Sequence, residues 1–144
     1  MTKFLFVTDL DHTFVGDDQA LWLLSDRLQQ HRQEYGTKIV YSTGRSPVLY
    51  RQLQREKNLF LPDALVLSVG TEIYLDGSEN YDLEWSSILS QGWDREKILS
   101  ITKQFPELEP QPDTEQRPFK VSFFLNGELS GILPRLKAEL QKSQ

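Results

Sequence analysis

Residues 3–13 read KFLFVTDLDHT, and this stretch decides the fold. Residues 4–7 are apolar without interruption, which is typical of a strand covered on both faces and hence of a parallel sheet. Two carboxylates, Asp9 and Asp11, follow directly. Asp9 is therefore predicted at the carboxyl end of the first strand, where open α/β sheets bind their ligands.

Two further strands, at residues 38–42 and 64–69, alternate with two helices. Asp17 or Asp18 is placed to cap the first helix, whose apolar side chains recur at helical spacing, and Gly36 is placed to end it. Ser46 and Pro47 suit the N-cap and first position of the second helix. The pattern predicts an α/β fold, a Rossmann-like, right-handed, doubly wound parallel sheet.

The sequence changes character after residue 75. An Asp-Gly-Ser turn at 76–78 predicts a hairpin between residues 73–75 and 81–83. Beyond it we expect a helix capped by Asp94, a proline-rich loop, a strand at residues 119–125 and an amphipathic helix that starts near Leu133. A subdomain boundary is predicted around residues 76–80.

Composition excludes several classes of protein. The chain has 144 residues, 16 basic and 21 acidic side chains, a net charge of -5 and no cysteine. The acidic balance argues against nucleic-acid and anionic-membrane partners, and the lack of cysteine excludes disulfides and thiol chemistry. No apolar run approaches the roughly 18–20 residues of a membrane span. These features predict a soluble, cytoplasmic protein.

Asp9 and Asp11 form the first candidate site. Two carboxylates two residues apart can take different environments, so that one stays ionised as nucleophile or metal ligand while the other moves a proton. The alternative is a polar transition from strand to loop, in which the side chains satisfy backbone donors.

Residues 43–46, Thr-Gly-Arg-Ser, occupy the equivalent place after the second strand. A hydroxyl, a glycine and a helix N-terminus together suit an anion, and Arg45 adds charge. A simple helix cap is the alternative. Acids beside an anion site are explained together by a divalent cation between them, and magnesium, which prefers oxygen ligands shared with phosphate, fits best.

The quoted residues resemble a known family. Residues 5–13 resemble the first motif of the haloacid dehalogenase superfamily, Asp-x-Asp-x-Thr after an apolar strand, and residues 42–45 resemble its second motif. Residues 42–46, 69–74 and 116–122 resemble, in the same order, stretches of the sucrose-phosphate phosphatases of cyanobacteria and plants.

This resemblance implies a haloacid dehalogenase-like core, incomplete here, with an α+β cap. Residues 1–75 would form the N-terminal half of the α/β core and residues 76–144 most of the cap. The implied reaction is magnesium-dependent hydrolysis of sucrose 6-phosphate through an aspartyl-phosphate. Asp9 would be the nucleophile and Asp11 the proton donor and later the base, and magnesium would bind the Asp9 carboxylate and the Asp11 carbonyl.

The resemblance also implies a set of substrate contacts, to the phosphate in the core and to sugar hydroxyls at the cap. These residues are Thr13, Thr43, Gly44, Arg45, Glu72, Gln116 and Lys120. Two of them have plain alternatives: Glu72 as a surface carboxylate at a strand edge, and Lys120 as a side chain that points into water.

The family's lysine motif and its Gly-Asp acidic motif do not occur in residues 1–144. Three explanations stay open: part of a longer phosphatase, a shortened relative that no longer catalyses, or a reduced fold with another role. That role would be a non-catalytic sugar-phosphate-binding or interaction module, for example a partner of a sucrose-synthesis enzyme.

Overall fold

A computed structural model describes residues 4–142 of the chain. Lys3, the expected start of the first strand, lies outside the described residues. The strands are β1 (Leu5–Thr8), β2 (Lys38–Ser42), β3 (Ala64–Leu67), β4 (Glu72–Leu75), β5 (Leu108–Pro110) and β6 (Phe123–Leu125). The helices are α1 (Asp18–Tyr35), α2 (Pro47–Lys57), α3 (Leu83–Ser90), α4 (Arg95–Thr102) and α5 (Leu129–Gln141).

The larger sheet has the strand order β1-β2-β3-β4. β1 pairs with β2 and β2 with β3 in parallel, as the alternation of strands and helices predicted. The register places Thr8 beside Tyr41, so the residues that follow β1 and β2 reach the same edge of the sheet.

The two helices between these strands begin at the expected residues, and α1 ends at the expected Gly36. The Asp17 carboxylate accepts a hydrogen bond from the Ala20 amide at 2.7 Å, and Gly36 ends α1 in the left-handed conformation with φ 69°. The Ser46 hydroxyl accepts from the Leu49 amide at 3.3 Å, directly before Pro47. These caps satisfy amides that the first helical turn leaves without partners.

One face of this sheet carries the core. Ile39 and Tyr41 are fully buried, and apolar side chains of both helices join them in one cluster. The helix residues in that cluster are Leu21, Leu28, Tyr50 and Leu53. Aromatic contacts extend the cluster beyond the strands, since Phe14 lies 5.5 Å from Tyr41 between ring centroids.

The opposite face of the sheet is apolar and open to solvent. Leu5, Val7 and Leu75 point to this side and are 61%, 54% and 47% exposed. The expectation that β1 is covered on both faces is therefore wrong for the described part of the chain. The uninterrupted apolar run does form a strand in a parallel sheet, but only its alternate residues face helices.

The predicted hairpin is replaced by a different antiparallel pair. β3 ends at Leu67, two residues earlier than expected, because Ser68 and Val69 adopt positive φ angles of 55° and 56° and turn the chain. β4 then returns antiparallel to β3. The turn at Asp76 and Gly77 does form, but the chain continues into α3, where the Asp82 carboxylate accepts from the Trp85 amide at 2.7 Å.

The smaller sheet pairs β5 with β6 in antiparallel fashion. Ile101, Phe105 and Ile132 form a second core that joins α4 and α5. Asp94 caps α4 as predicted, because its carboxylate accepts from the Lys97 amide at 2.9 Å.

Two boundaries in this region differ from expectation. The strand predicted at residues 119–125 starts only at Phe123, because Arg117 and Lys120 exchange backbone hydrogen bonds of 3.0 and 3.1 Å in a tight turn. α5 starts at Leu129 rather than near Leu133, with Pro134 inside the helix. Starting earlier lets Ile132 reach the core, and the cost is one amide hydrogen bond that proline cannot donate.

The contacts divide the chain into two compact units, Met1–Ile88 and Leu89–Gln144. This division falls later than residues 76–80, because Trp85 donates to the Gly70 carbonyl at 2.9 Å and the Asp82 amide to the Ile73 carbonyl at 2.7 Å. The assignment of residues 1–75 to a catalytic core and 76–144 to a cap stays a prediction. Among residues 4–142, no helix has the length and apolar character needed to cross a membrane.

Ile39→Ala is expected to destabilise the chain by about 2–5 kcal/mol, because it removes fully buried carbon atoms and leaves a cavity. Val7→Ala, on the open face of the sheet, is the matched control and is expected to cost about 1 kcal/mol or less. Urea unfolding followed by circular dichroism measures both. Equal losses would contradict the assignment of the core to one face.

Candidate active site

Asp9 follows β1 directly and is exposed at the edge of the sheet where the loop after β2 also begins. One of its carboxylate oxygens accepts a hydrogen bond from the Leu10 amide at 2.8 Å. This bond engages one oxygen of the carboxylate. Asp9 thus lies at the carboxyl end of the first strand, as predicted, while its role as nucleophile stays a prediction.

Asp11 is held by Arg45. The Arg45 Nη2 lies 2.7 Å from Asp11 Oδ1 and its Nε 2.9 Å from Oδ2, a two-point ion pair between the first and second motifs. These hydrogen bonds hold the pKa of Asp11 below its ordinary value, although partial burial acts in the opposite direction. The pair therefore favours the ionised form of Asp11.

Residues 43–45, called here the 43–45 loop, connect β2 to α2. Thr43 is buried, and its amide donates to the Val66 carbonyl at 2.9 Å while its hydroxyl accepts from the Arg45 amide at 3.2 Å. Gly44 is exposed. The loop thus presents an exposed glycine beside a helix N-terminus, the arrangement that suits an anion.

Residues Ser68–Gly70, called here the 68–70 turn, pack against the 43–45 loop. The Ser68 amide donates to the Arg45 carbonyl at 2.8 Å. A Cβ placed on Gly44 would lie 3.4 Å from Val69 Cγ1, so the Val69 side chain borders the space beside Gly44. Sequence reasoning missed Ser68 and Val69 as neighbours of the site, since neither residue type marks a turn of this kind.

Glu72 is not a surface carboxylate. It is 2% exposed, and its oxygens accept from the Ser68 hydroxyl at 2.7 Å and the Tyr74 hydroxyl at 3.4 Å. Its register partner is Leu67, which places it on the helix-covered face of the sheet. That alternative is wrong, and its predicted contact with a sugar stays a prediction.

Gln116 and Lys120 lie in the second unit. The Gln116 side-chain amide donates to the carbonyls of Gln111 and Ser122 at 2.9 and 2.8 Å and accepts from the Ser122 amide at 3.0 Å. Lys120 Nζ lies 3.6 Å from Glu115 Oε2, and both side chains are largely buried. Lys120 therefore does not simply point into water, while a sugar contact by either residue remains a prediction.

Thr13 lies in the loop that follows β1, at the sheet edge called here the rim, where β1 and β2 end. It is exposed, and its amide donates to the Leu10 carbonyl at 3.3 Å. Across residues 4–142, no group of three or more acidic, histidine or cysteine side chains is arranged to hold a metal ion. The oxygen donors at the rim are those of Asp9 and Asp11, which suit a hard cation that completes its shell with water and phosphate.

Comparison with known proteins identifies the family of this chain. Residues 2–144 match the family described as sucrose-6F-phosphate phosphohydrolase. The chain belongs to this family. The resemblance to sucrose-phosphate phosphatases, inferred from residues 42–46, 69–74 and 116–122, is thereby confirmed.

Plant members of the family share the sequence. Sucrose-phosphatase 1 of Nicotiana tabacum is 43% identical over 126 residues, which are 85% of this chain and 30% of the tobacco protein. A probable sucrose-phosphatase 3b of Arabidopsis thaliana is 42% identical over 143 residues, 96% of this chain and 34% of that protein. The chain therefore spans about a third of the length of these relatives.

Solved structures show the same fold. The sucrose-phosphatase of Synechocystis, determined in complex with sucrose and phosphate, superposes on this chain with a TM-score of 0.90 at 35% identity. The superposition covers 99% of this chain and 57% of the Synechocystis chain. A haloacid dehalogenase-like hydrolase of Bacillus subtilis superposes with a TM-score of 0.62 at 22% identity. That superposition covers 97% of this chain and 55% of the Bacillus chain. The predicted α/β, haloacid dehalogenase-like fold is confirmed.

Arg45→Gln is expected to raise the pKa of Asp11, because the guanidinium that favours its ionised form is removed. Since the folded-state pKa is the lower one, the pair stabilises the fold above the ordinary aspartate range and loses this effect as the pH falls through the lowered pKa. Carboxyl 13C NMR titration in metal-free buffer measures the pKa of Asp11, and the variant Arg51→Gln, at an exposed position, is the control. An unchanged pKa of Asp11 in Arg45→Gln would contradict the ion pair between Asp11 and Arg45.

Proposed function

We propose that this chain carries the nucleophilic half of a magnesium-dependent phosphatase whose substrate is sucrose 6-phosphate. The observation that carries the proposal is the joining of the two family motifs at one sheet edge, where Asp9, Asp11 and the 43–45 loop meet. Its support from relatives is membership in the sucrose-6F-phosphate phosphohydrolase family and the Synechocystis complex with sucrose and phosphate.

In the first step, a carboxylate oxygen of Asp9 attacks phosphorus, and the bond from phosphorus to the sugar oxygen breaks. Asp11 donates a proton to the departing oxygen, so the products are a sugar hydroxyl and a phosphoryl group on Asp9. The Leu10 amide holds one Asp9 oxygen at 2.8 Å, which leaves the other oxygen for the attack.

Proton donation by Asp11 requires that its ion pair with Arg45 opens. A phosphate dianion competes with the Asp11 carboxylate for the guanidinium, since Arg binds both oxyanions through the same two-point geometry. Arg45 would then move onto the phosphoryl oxygens, and the Asp11 carboxylate would take up a proton from solvent water, which it then donates to the leaving oxygen. This exchange gives Arg45 the substrate-binding role expected from the sequence.

In the second step, water attacks the phosphoryl group on Asp9. Asp11, now ionised, accepts the proton of that water, and phosphate leaves as the Asp9 carboxylate reforms. Thr43, which is buried, and Gly44, which is exposed, would hold the phosphoryl oxygens through both steps.

Magnesium fits the oxygen donors of this rim. The Asp9 carboxylate and the Asp11 carbonyl would hold it, and when bound it supplies positive charge that offsets the charge of the phosphoryl oxygens. Because the described residues supply so few acidic ligands, the proposal expects weak binding of magnesium by the chain alone and tighter binding with phosphate present.

A second candidate is a non-catalytic sugar-phosphate-binding module. The observation that favours it is the closed ion pair between Asp11 and Arg45, which keeps the predicted proton donor ionised. Such a module would bind the same ligand and transfer no phosphoryl group.

Location and partners belong to the same proposal. The proposed location is the cytoplasm, and the proposed macromolecular partner is a sucrose-synthesis enzyme. If the chain is an interaction module, it would bind that enzyme directly.

Phosphate release from sucrose 6-phosphate with magnesium present is the test, measured by a colorimetric phosphate assay beside titration calorimetry of substrate binding. We expect release that ceases in Asp9→Asn and on chelation of magnesium, because the nucleophile and the cation are then lost. Exposed Asp26→Asn serves as the matched control and should behave as the unaltered chain.

The outcomes separate the two candidates. Binding without release, insensitive to Asp11→Asn, would favour the module. Neither binding nor release, in this chain and in one extended by the family's lysine and acidic motifs, would contradict both.

A further inference from the structure

We infer that Glu72 is a positioning residue for the 43–45 loop, acting through Ser68, rather than a contact to the sugar. The inference rests on the proposed function, since it assigns the 43–45 loop to phosphate. It replaces the role that the sequence suggested for Glu72 with one in the phosphate site.

Burial is the first observation. Glu72 is 2% exposed and Ser68 is fully buried, and the two are joined by a hydrogen bond of 2.7 Å from the Ser68 hydroxyl. A sugar hydroxyl that arrives from solvent does not reach a carboxylate enclosed in this way. The Glu72 carboxylate instead accepts hydrogen bonds from two groups inside the fold, the Ser68 and Tyr74 hydroxyls.

The second observation is the link from Ser68 to the loop. The Ser68 amide donates to the Arg45 carbonyl at 2.8 Å, so the side chain of Ser68 is tied to Glu72 and its backbone to the 43–45 loop. The Thr71 hydroxyl holds the other side of the same residue by donating to the Ser68 carbonyl at 2.9 Å. Displacement of Ser68 therefore displaces Arg45.

The third observation is backbone strain in the 68–70 turn. Val69 has φ 56° and ψ 36°, a left-handed conformation that β-branched residues rarely adopt, and Ser68 has φ 55°. Such backbone conformations are unfavourable and persist only where the surroundings enforce them. The hydrogen bond from Ser68 to Glu72 is part of that enforcement.

The strained turn has a direct effect at the loop. Val69 is exposed, and its Cγ1 lies 3.4 Å from the position that a Gly44 Cβ would take. The Val69 side chain therefore lies beside Gly44, whose amide is proposed to hold a phosphoryl oxygen. Through its hydrogen bond with Ser68, Glu72 sets the positions of Val69 and of the Arg45 carbonyl.

The two roles of Glu72 predict different losses. Loss of a sugar contact would change which sugar phosphate is preferred and leave the affinity for inorganic phosphate unchanged. Loss of a positioning residue would weaken the binding of inorganic phosphate and of every phosphate ester alike, because the phosphate group is common to all of them.

The first measurement is the Kd of inorganic phosphate with magnesium, by titration calorimetry below the melting temperature of each variant. We expect about a tenfold weaker Kd in Glu72→Ala and in Ser68→Ala, and little further loss in the double variant, because both remove one bond. Glu72→Gln keeps an acceptor and should retain most of the affinity. The exposed Glu79→Ala is the control and should match the unaltered chain.

The second measurement needs no ligand. Backbone amide NMR shifts of Thr43, Gly44 and Arg45 are expected to move in Glu72→Ala and in Ser68→Ala and to stay in place in Glu79→Ala. Where Glu72→Ala does not fold, Ser68→Ala carries both measurements.

Unchanged amide shifts of residues 43–45 in Glu72→Ala and Ser68→Ala would overturn the inference. So would a phosphate Kd that stays the same in these variants while the sugar preference changes. Failure of both the unaltered chain and the chain extended by the lysine and acidic motifs to bind phosphate would contradict the proposed function. In that case the loop amides alone still decide whether Glu72 positions the 43–45 loop.

Discussion

The parallel pairing of β1 with β2 is the constraint on which the rest of the site depends. Parallel strands deliver their carboxyl ends to one edge, and the register of Thr8 beside Tyr41 brings the acids after β1 level with the loop after β2. Without that register, Arg45 would not reach Asp11 with two nitrogens at once. The chemistry of the rim is therefore a consequence of backbone hydrogen bonding several residues away from it.

Beneath this rim lies a layer of buried polar groups. Thr43, Ser68 and Glu72 are almost fully enclosed, and each makes hydrogen bonds that connect strands to loops. In an interior of low dielectric, such bonds are stronger than in water, and leaving one unmade is costly. The layer explains how a glycine loop and a strained turn keep one conformation at an edge exposed to water.

The sequence was sufficient for the features that depend on local rules. Helix caps at Asp17 and Ser46 were predictable because their side chains satisfy nearby amides, and the apolar run before Asp9 was predictable as a parallel strand. The antiparallel β4 was not, since it depends on positive φ angles at Ser68 and Val69, residues that rarely adopt them. Nor was the ion pair of Arg45 with Asp11, residues far apart in the chain, whose meeting depends on strand register. The burial of Glu72 likewise follows from register alone.

The open face of the larger sheet has a consequence for how the chain behaves in solution. Leu5, Val7 and Leu75 favour apolar contacts on that face, and among residues 4–142 the outer edge of β1 has no partner strand. The net charge of -5 of residues 1–144 opposes association of one copy with another. Added salt screens this charge repulsion but does not weaken apolar contacts, so self-association of residues 1–144 alone through this face would increase with ionic strength.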